Sequence, residues 1–197
     1  MTDRSTGEIV PSAREALTRL EENGHFVAIA TGRAHYKARK FTDANGFKNM
    51  VCCGGNGCVI DNELVENIPL DKDGCIKIIH QAEELGYGWC VALDDTKDVY
   101  MTDDKFLRQV GKRKEPTRYI IDDMLEVEKA DAIYKVYVAI PKEDEEKLTT
   151  KELVGHLRFE PEYLMFQPDN KRGGIIKMME HLNSRYQRCC SLWGRLQ

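Results

Sequence analysis

The stretch of sequence that decides the fold is Phe26-Val27-Ala28-Ile29-Ala30-Thr31-Gly32-Arg33. Its first five residues form an almost uninterrupted apolar run, which is typical of a parallel strand covered on both faces. A hydroxyl residue and a glycine follow at once, and a helical stretch then runs from Ala34 to about Ala44. In open α/β sheets, ligands bind beyond the carboxyl ends of the strands. The stretch therefore predicts a strand, a ligand-binding turn and a helix.

The segments around this strand continue the alternation of helix and strand. Pro11 and a capping-box spacing between Ser12 and Glu15 predict a preceding helix that ends at Gly24. Further along we predict a second buried strand at Met50–Cys53, a tight loop at Gly54–Gly57, and short strands at Cys58–Ile60 and Glu63–Ile68. This order favours a doubly wound α/β sheet.

Residues 69–166 have a different character and predict a separate α+β module with an antiparallel sheet. We expect a helix that Asp73 caps, a half-buried strand at Trp89–Leu93, and a charged helix from Lys142 to about His156. Further strands are predicted at Val99–Thr102, Asp131–Ile140, Leu157–Glu160 and Tyr163–Gln167. The chain then returns to a helix with one buried face. The predicted domains are residues 1–68, 69–166 and 167–197, and residues 184–197 show no clear periodicity.

Composition excludes several classes of function. The net charge is −4 and the sequence pI is about 5.8, so no basic footprint for nucleic acid is expected. No stretch approaches the roughly 20 apolar residues that span a bilayer, and the first ten residues do not resemble a signal peptide. The cysteines lack metal-binding spacing, and Cys52 and Cys53, which lie in an apolar run, are interpreted as buried thiols in a reducing cytoplasm. The oligomeric state stays open.

The turn at Thr31-Gly32-Arg33 is the sharpest chemical signal. Free amides at a helix N-terminus form an anion site with the helix dipole behind them. Gly32 would let the backbone approach the ligand, and Arg33 would add positive charge. The alternative is that Thr31 only caps the next helix. The residues alone leave both interpretations open.

Two further segments can complete such a site. Lys171 precedes Gly173-Gly174 and a helix, so it could reach a phosphoryl oxygen as a mobile charge, although most lysines in polar loops are only solvated. Gly55-Asn56-Gly57 begins like a dinucleotide-binding loop, but Ile60 stands where the third glycine belongs. We therefore interpret this turn as a possible lining of a substrate crevice.

Together these segments resemble the haloacid dehalogenase superfamily, specifically its Cof-like hydrolases with a C2-type cap. The resemblance rests on the order and spacing of Gly7-Glu8-Ile9-Val10-Pro11, Val27–Arg33, Gly55-Asn56-Gly57, Ile133-Tyr134-Lys135-Val136 and Asn170-Lys171-Arg172-Gly173-Gly174. It implies a Rossmannoid core with an inserted cap that selects the leaving group.

The resemblance also implies a mechanism. Family members hydrolyse small phosphate monoesters, often of sugars, with Mg²⁺ and a nucleophilic aspartate. By this resemblance Thr31 holds a phosphoryl oxygen, Lys171 steadies the nucleophile, and Gly32, Arg33, Gly55, Asn56 and Gly57 line the substrate site. The expected partner is a small phosphorylated metabolite.

The sequence departs from the family pattern in two places. An Asp-x-Asp-Gly-Thr motif should precede the segment at Asp3-Arg4, and an acidic metal loop should follow Leu182, where Ser184–Cys190 stands. We therefore expect an incomplete core that lacks its first strand and the Mg²⁺ ligands, with open edges on the strands of Val27 and Val51. We also expect a chain that is inactive alone. The alternatives are an active phosphatase, a remnant that binds phosphate weakly, and an interaction module.

Several aspartates elsewhere mimic catalytic or metal-binding motifs. Asp71-Lys72-Asp73-Gly74 resembles the first motif but follows Thr31 instead of preceding it. Asp94-Asp95 with Asp98, and Asp103-Asp104, lie at predicted strand ends, where paired aspartates are usually turn residues. We predict no metal site at these positions.

Overall fold

The computed structural model describes residues 8–112 and 117–183, so the predicted tail at 184–197 lies outside the described part. The described chain divides into two compact units. Unit 1 takes the residues up to Arg33, Lys37–Glu66 and those from Asn170 onwards, and unit 2 takes Ala34–Tyr36 and Asn67–Asp169. The assignment of residues 1–68 and 167–197 to a core and of residues 69–166 to a cap stays a prediction.

Unit 1 begins with helix α1, Pro11–Glu22. Pro11 occupies the first turn, where its missing N–H costs nothing. The predicted capping box is wrong, because Ser12 lies inside the helix and no side chain caps its start. Gly24 follows the helix with φ 77°, as predicted for a helix stop. The other helices of this unit are α2, His35–Asn45, of which the first two residues group with unit 2, and α5, Lys171–His181.

The sheet of unit 1 has the order β1-β2-β3-β4. Its strands are β1, Ile29–Ala30; β2, Met50–Cys52; β3, Gly57–Ile60; and β4, Glu63–Asn67. The first two strands are parallel with α2 between them, and β2 pairs antiparallel with β3. Asp61 and Asn62 both have positive φ, 49° and 69°, which forms a tight hairpin between β3 and β4.

The sheet edges differ from the expectation. The prediction of an open edge at Val51 is wrong, because β2 has a strand on each side and Val51 is 1% exposed. Among the described residues β1 is the edge strand, and Phe26 before it is 47% exposed. On the side away from β1, the edge of β2 pairs with β3 of the β3–β4 hairpin, a pairing that the sequence did not predict.

Unit 2 contains a six-stranded sheet with the order β7-β6-β5-β8-β10-β9. Its pairs are antiparallel except for the parallel pair of β6 and β7. The elements are α3, Lys72–Glu84; β5, Trp89–Ala92; β6, Asp98–Met101; α4, Lys105–Val110; β7, Arg118–Ile121; β8, Lys135–Val138; β9, His156–Glu160; and β10, Tyr163–Phe166.

Both faces of this sheet are buried. Ile78 of α3 packs with Val91 on one face, and Phe106 of α4 packs with Cys90 on the other. The prediction that β5 is half-buried is therefore wrong, because the sequence pattern did not reveal α4. None of the described helices is long and apolar enough to cross a bilayer.

Three local predictions in unit 2 need correction. Asp71, and not Asp73, caps α3, since its carboxylate accepts the Gly74 N–H at 2.8 Å. The charged helix from Lys142 is wrong, because two 3₁₀ segments take its place, Lys142–Lys147 and Thr149–Leu153. Leu148 between them is fully buried and has a non-helical ψ of 79°. The burial of that side chain interrupts the helix.

Candidate functional site

Thr31 lies one residue beyond the end of β1. Its N–H donates to the carbonyl of Val51 at 2.8 Å, which continues the parallel pairing of β1 with β2. Its side chain is buried, and Oγ1 accepts the Arg33 N–H at 3.2 Å. The helix-cap interpretation is wrong, because α2 starts only at His35 and the hydroxyl closes a turn before it. No described residue accepts the Thr31 hydroxyl proton, which can therefore be donated to a ligand.

The turn after β2 wraps around this first turn. Cys53 donates its N–H to the carbonyl of Arg33 at 2.8 Å, and Gly54 donates to the carbonyl of Thr31 at 3.4 Å. Cys53, Gly54 and Gly55 all have positive φ, 52°, 68° and 121°. This left-handed path lets the second turn fold back over residues 31–33.

The N-terminus of α5 joins the same turn. Asn170 donates its N–H to the carbonyl of Gly54 at 2.7 Å, and its side chain caps α5 by accepting the Gly173 N–H at 2.9 Å. A Cβ on Gly55 would lie 2.2 Å from the Asn170 carbonyl oxygen and 3.2 Å from the Lys171 nitrogen. The contact is therefore backbone against backbone, and it places the first residue of α5 beside the second turn.

The packing of α5 on β2 requires a second glycine. A Cβ on Gly174 would lie 2.5 Å from Val51 Cγ1 and 2.6 Å from the Gly55 carbonyl oxygen. Because neither group can retreat easily, only glycine permits this approach. The structure thus brings together three segments that are far apart in sequence: residues 31–33, 53–57 and 170–174.

The predicted site residues take different positions in this arrangement. Thr31 is buried, Gly32 and Lys171 are half-buried, and Arg33 is exposed. Gly55 and Gly57 are buried, and both shape the second turn by leaving room for neighbouring atoms. Asn56 is half-buried at the end of the same turn. Substrate contact by these residues stays a prediction.

Chemically, the joined segments present hydrogen-bond donors and positive charge. The first turn of α5 contains no acidic residue, and its first two residues are Lys171 and Arg172. The helix dipole adds partial positive charge at the same end. The arrangement suits an anion, because charge-assisted hydrogen bonds from a hydroxyl, amides and an ammonium group favour phosphate.

Mg²⁺, which the family resemblance implies, requires a different set of ligands. It binds six oxygens, usually including one or two carboxylates. Within residues 8–112 and 117–183, no three His, Cys, Asp or Glu side chains are grouped as metal ligands. The donors joined around Thr31 repel a cation. The described residues therefore do not fit a Mg²⁺ site.

Sequence reasoning missed a buried histidine in unit 2. His35 is 7% exposed, and its Nδ1 lies 2.5 Å from the Asp95 carboxylate. The same carboxylate accepts the Tyr36 N–H at 3.0 Å, so Asp95 supports the first turn of α2. Nothing in the sequence pattern connects residues so far apart. Asp95 lies in the turn between β5 and β6, as predicted, and its contacts with His35 and Tyr36 are a further structural role.

Comparisons with known proteins agree with this fold. A hypothetical protein of Geobacillus kaustophilus HTA426 superposes with a TM-score of 0.70 at 20% identity, over 93% of this chain and 72% of that one. The haloacid dehalogenase subclass IIB sugar phosphatase BT4131 gives 0.65 at 17% identity, over 93% and 73% of the two chains. At such low identity these structures show a shared fold.

Sequence comparison gives a curated relative and a family. YkrA of Bacillus subtilis strain 168 is 24% identical over 95 residues, which are 48% of this chain and 37% of that protein. The match thus spans little more than a third of that relative. A family model for haloacid dehalogenase-like hydrolases matches residues 3–191, nearly the whole chain. The chain belongs to the haloacid dehalogenase-like hydrolase family.

Proposed function

We propose that this chain binds the phosphoryl group of small phosphate monoesters at the Thr31-Gly32 turn. The observation that carries the proposal is the pair of hydrogen bonds at Gly54, which donates to Thr31 and accepts from Asn170. These bonds hold the end of β1 and the start of α5 against one turn. The turn that contains the Thr31 hydroxyl and the N-terminus of α5, both of which favour an anion, are therefore held by one peptide segment.

Each group has a distinct part in the proposed site. The Thr31 hydroxyl and the amide that follows it donate to phosphoryl oxygens, as amides do at many anion sites. Lys171 supplies a mobile charge that neutralises the phosphoryl group. Arg33, which is exposed, adds charge at the rim of the crevice. Unit 2 is proposed to act as the cap that selects the leaving group.

The proposed substrate class is sugar phosphates and related metabolites. The support is the resemblance in fold to BT4131, which is described as a sugar phosphatase. Hydrolysis in this family proceeds through an aspartyl-phosphate with Mg²⁺, and the residues that the structure describes group no three His, Cys, Asp or Glu side chains that could hold the metal. We therefore propose binding without measurable turnover by this chain.

Calorimetric titration with inorganic phosphate and glucose 6-phosphate tests the proposal. Thr31→Val removes the hydroxyl at nearly constant shape, and Thr31→Ser keeps it. We expect Thr31→Val and Lys171→Ala each to weaken binding by about tenfold or more, because each removes a hydrogen bond to a charged group worth about 1.5–3 kcal/mol. Thr31→Ser should retain binding.

Lys72→Ala is the matched control. Lys72 is a half-buried lysine at the first position of α3, as Lys171 is at the first position of α5. Equal losses in the two lysine variants would contradict the site. Release of phosphate from glucose 6-phosphate with added Mg²⁺ provides the turnover assay. Turnover above background that Thr31→Val abolishes would contradict the proposal of binding alone.

One observation favours a second candidate function, pairing through the edge of β1. Ala28 and Ala30 are exposed, as is Phe26 just before the strand. An exposed apolar edge strand is a template for another strand. Light scattering at rising protein concentration tests this candidate. The molar mass of the wild type should rise with concentration, and Ala28→Lys should reduce that rise. A molar mass that does not change with concentration in either protein would contradict the candidate.

A further inference from the structure

Two adjacent cysteines at the end of β2 have an unusual geometry. The sulfurs of Cys52 and Cys53 lie 4.0 Å apart. Successive side chains of a strand point to opposite faces, which would separate the two thiols. The strand ends at Cys52, and Cys53 has a positive φ of 52°. This turn returns the Cys53 side chain to the hydrophobic cluster that contains Cys52.

Gly57 provides the space that both sulfurs occupy. It pairs with Cys52 in the register of β2 and β3. A Cβ on Gly57 would lie 2.4 Å from Cys52 Sγ and 3.3 Å from Cys53 Sγ. The hollow over this glycine is thus filled by two sulfur atoms from neighbouring residues.

The two thiols differ in exposure. Cys52 is fully buried, as predicted, whereas the prediction of a buried Cys53 is wrong: it is half-buried, because the turn at the end of β2 leaves it at the margin of the cluster. A reagent in solution therefore meets Cys53 first. We propose that the pair is a reversible oxidation site, in which a peroxide oxidises Cys53 and Cys52 then closes a disulfide. This site adds a modification to the proposed phosphoryl site.

The atoms and electrons balance in two steps. The Cys53 thiolate attacks one oxygen of hydrogen peroxide, the O–O bond breaks, and the departing hydroxide takes up a proton to form water. The sulfur of Cys52 then attacks the Cys53 sulfenic acid, an S–S bond forms, and a second water leaves. Two thiols are oxidised and one peroxide is reduced to two waters.

The product would be easy to reduce. Adjacent Cα atoms are about 3.8 Å apart across a trans peptide, whereas most disulfides need about 4.4–6.8 Å. Strained disulfides are the more readily reduced ones. The expected bond is therefore a reversible one and not a structural crosslink.

Formation of the disulfide would disturb the phosphoryl site through the backbone, a consequence that rests on the proposed function. The sulfurs must approach from 4.0 Å to about 2.05 Å. Cys53 donates its N–H to Arg33, and the next residue, Gly54, joins Thr31 to Asn170. A shift of Cys53 therefore displaces the peptide that holds the site together.

Mass spectrometry of a tryptic digest tests the oxidation site. The background is Cys58→Ala with Cys189→Ser and Cys190→Ser, because Cys58 shares the tryptic peptide 49–72 and the tail contains another adjacent pair. After treatment with hydrogen peroxide and then alkylation, peptide 49–72 should be unalkylated and two hydrogens lighter than the same peptide with two thiols. Treatment with dithiothreitol before alkylation should restore both thiols. Cys75 and Cys90, both fully buried, are internal controls that should remain thiols.

Substitution of either cysteine decides the assignment. Cys52→Ser and Cys53→Ser should each abolish the loss of two hydrogens, with circular dichroism as the check of folding. Overoxidation of Cys53 without a disulfide, or no oxidation of the pair, would overturn the proposal.

Phosphate titration of the two redox forms tests the coupling. We expect phosphate affinity to fall about tenfold on oxidation, and equal affinities of the oxidised and reduced forms would overturn the coupling. If the reduced protein binds no phosphate, the proposed function and the coupling both fail, whereas the oxidation site is still decided by mass.

Discussion

The N–H of Asn170 donates to the carbonyl of Gly54 at 2.7 Å, although nearly all of unit 2 lies between them in sequence. Gly54 in turn donates its own N–H to the carbonyl of Thr31 at 3.4 Å. One peptide segment therefore connects the first strand of unit 1 to its last helix. The segment fixes the relative positions of the backbone at the two ends of the proposed anion site.

The close approach of Gly55 to Asn170 predicts a large effect of Gly55→Ala. The new Cβ would lie 2.2 Å from a backbone oxygen, and φ is 121°, a region that residues with a side chain rarely adopt. We expect the free energy of unfolding of unit 1 to fall by about 3 kcal/mol or more. Urea unfolding followed by circular dichroism measures this loss.

Gly46→Ala is the control for backbone strain alone. Gly46 also lies in unit 1, with φ 74°, but nothing lies within 4 Å of its Cβ position. Gly46→Ala should lower the free energy of unfolding by only about 1–2 kcal/mol. If the two variants lose the same stability, the contact between Gly55 and Asn170 is not the cause.

The ion pair at the edge of the unit 2 sheet predicts a pH-dependent stability. Arg118 Nε donates to Asp98 Oδ1 at 2.8 Å, and Nη2 donates to Oδ2 of the same carboxylate. These hydrogen bonds hold the pKa of Asp98 below its usual value of 3.8. A carboxyl group with a lowered pKa stabilises the fold above its unfolded pKa, and this contribution is lost as pH falls through the folded pKa.

Arg118→Gln should therefore lower the thermal midpoint at neutral pH and have a shrinking effect below about pH 4. Arg108→Gln, which breaks an exposed pair with Asp104, is the matched control and should change little. Thermal melts at several pH values measure both. A difference between Arg118→Gln and wild type that is the same at neutral and acid pH would contradict the assignment.

Two buried cysteines should resist alkylation in the native protein. Burial raises the pKa of Cys75 to about 12 and that of Cys58 to about 11, with smaller contributions from Asp71 and Glu66. Because the thiolate is the nucleophile, both thiols should react slowly near neutral pH. Timed iodoacetamide labelling with peptide mapping should modify Cys53 before Cys58 and Cys75, and early labelling of Cys75 would contradict the described burial.

The sequence was most informative where local chemistry decides the structure. The apolar run before Thr31 predicts a strand, of which Ile29–Ala30 pairs as β1, and the glycines around Lys171 mark the start of a helix, because each depends on neighbouring residues. The prediction that this strand is covered on both faces is wrong, since Ala30 is exposed. The position of Lys171 beside Gly55 could be expected only through the family resemblance. No periodicity connects segments separated in sequence by nearly all of unit 2.

Elements fixed by tertiary contacts could not be predicted. Helix α4, Lys105–Val110, is too short to show a periodic pattern, yet it covers one face of the unit 2 sheet. The interruption at Leu148 depends on burial of one side chain. The left-handed turn at Cys53 likewise follows from its hydrogen bond to Arg33. In each case packing or pairing overrides local propensity.

The central claim is that the turn at Thr31 and the start of α5 bind the same anion. Two-dimensional NMR of the ¹⁵N-labelled protein during titration with inorganic phosphate tests it most directly. The amide signals of Gly32 and Arg33 should shift together with those of Lys171 and Arg172, and all four should follow one dissociation constant. Shifts confined to one segment, or two different constants, would contradict a shared site.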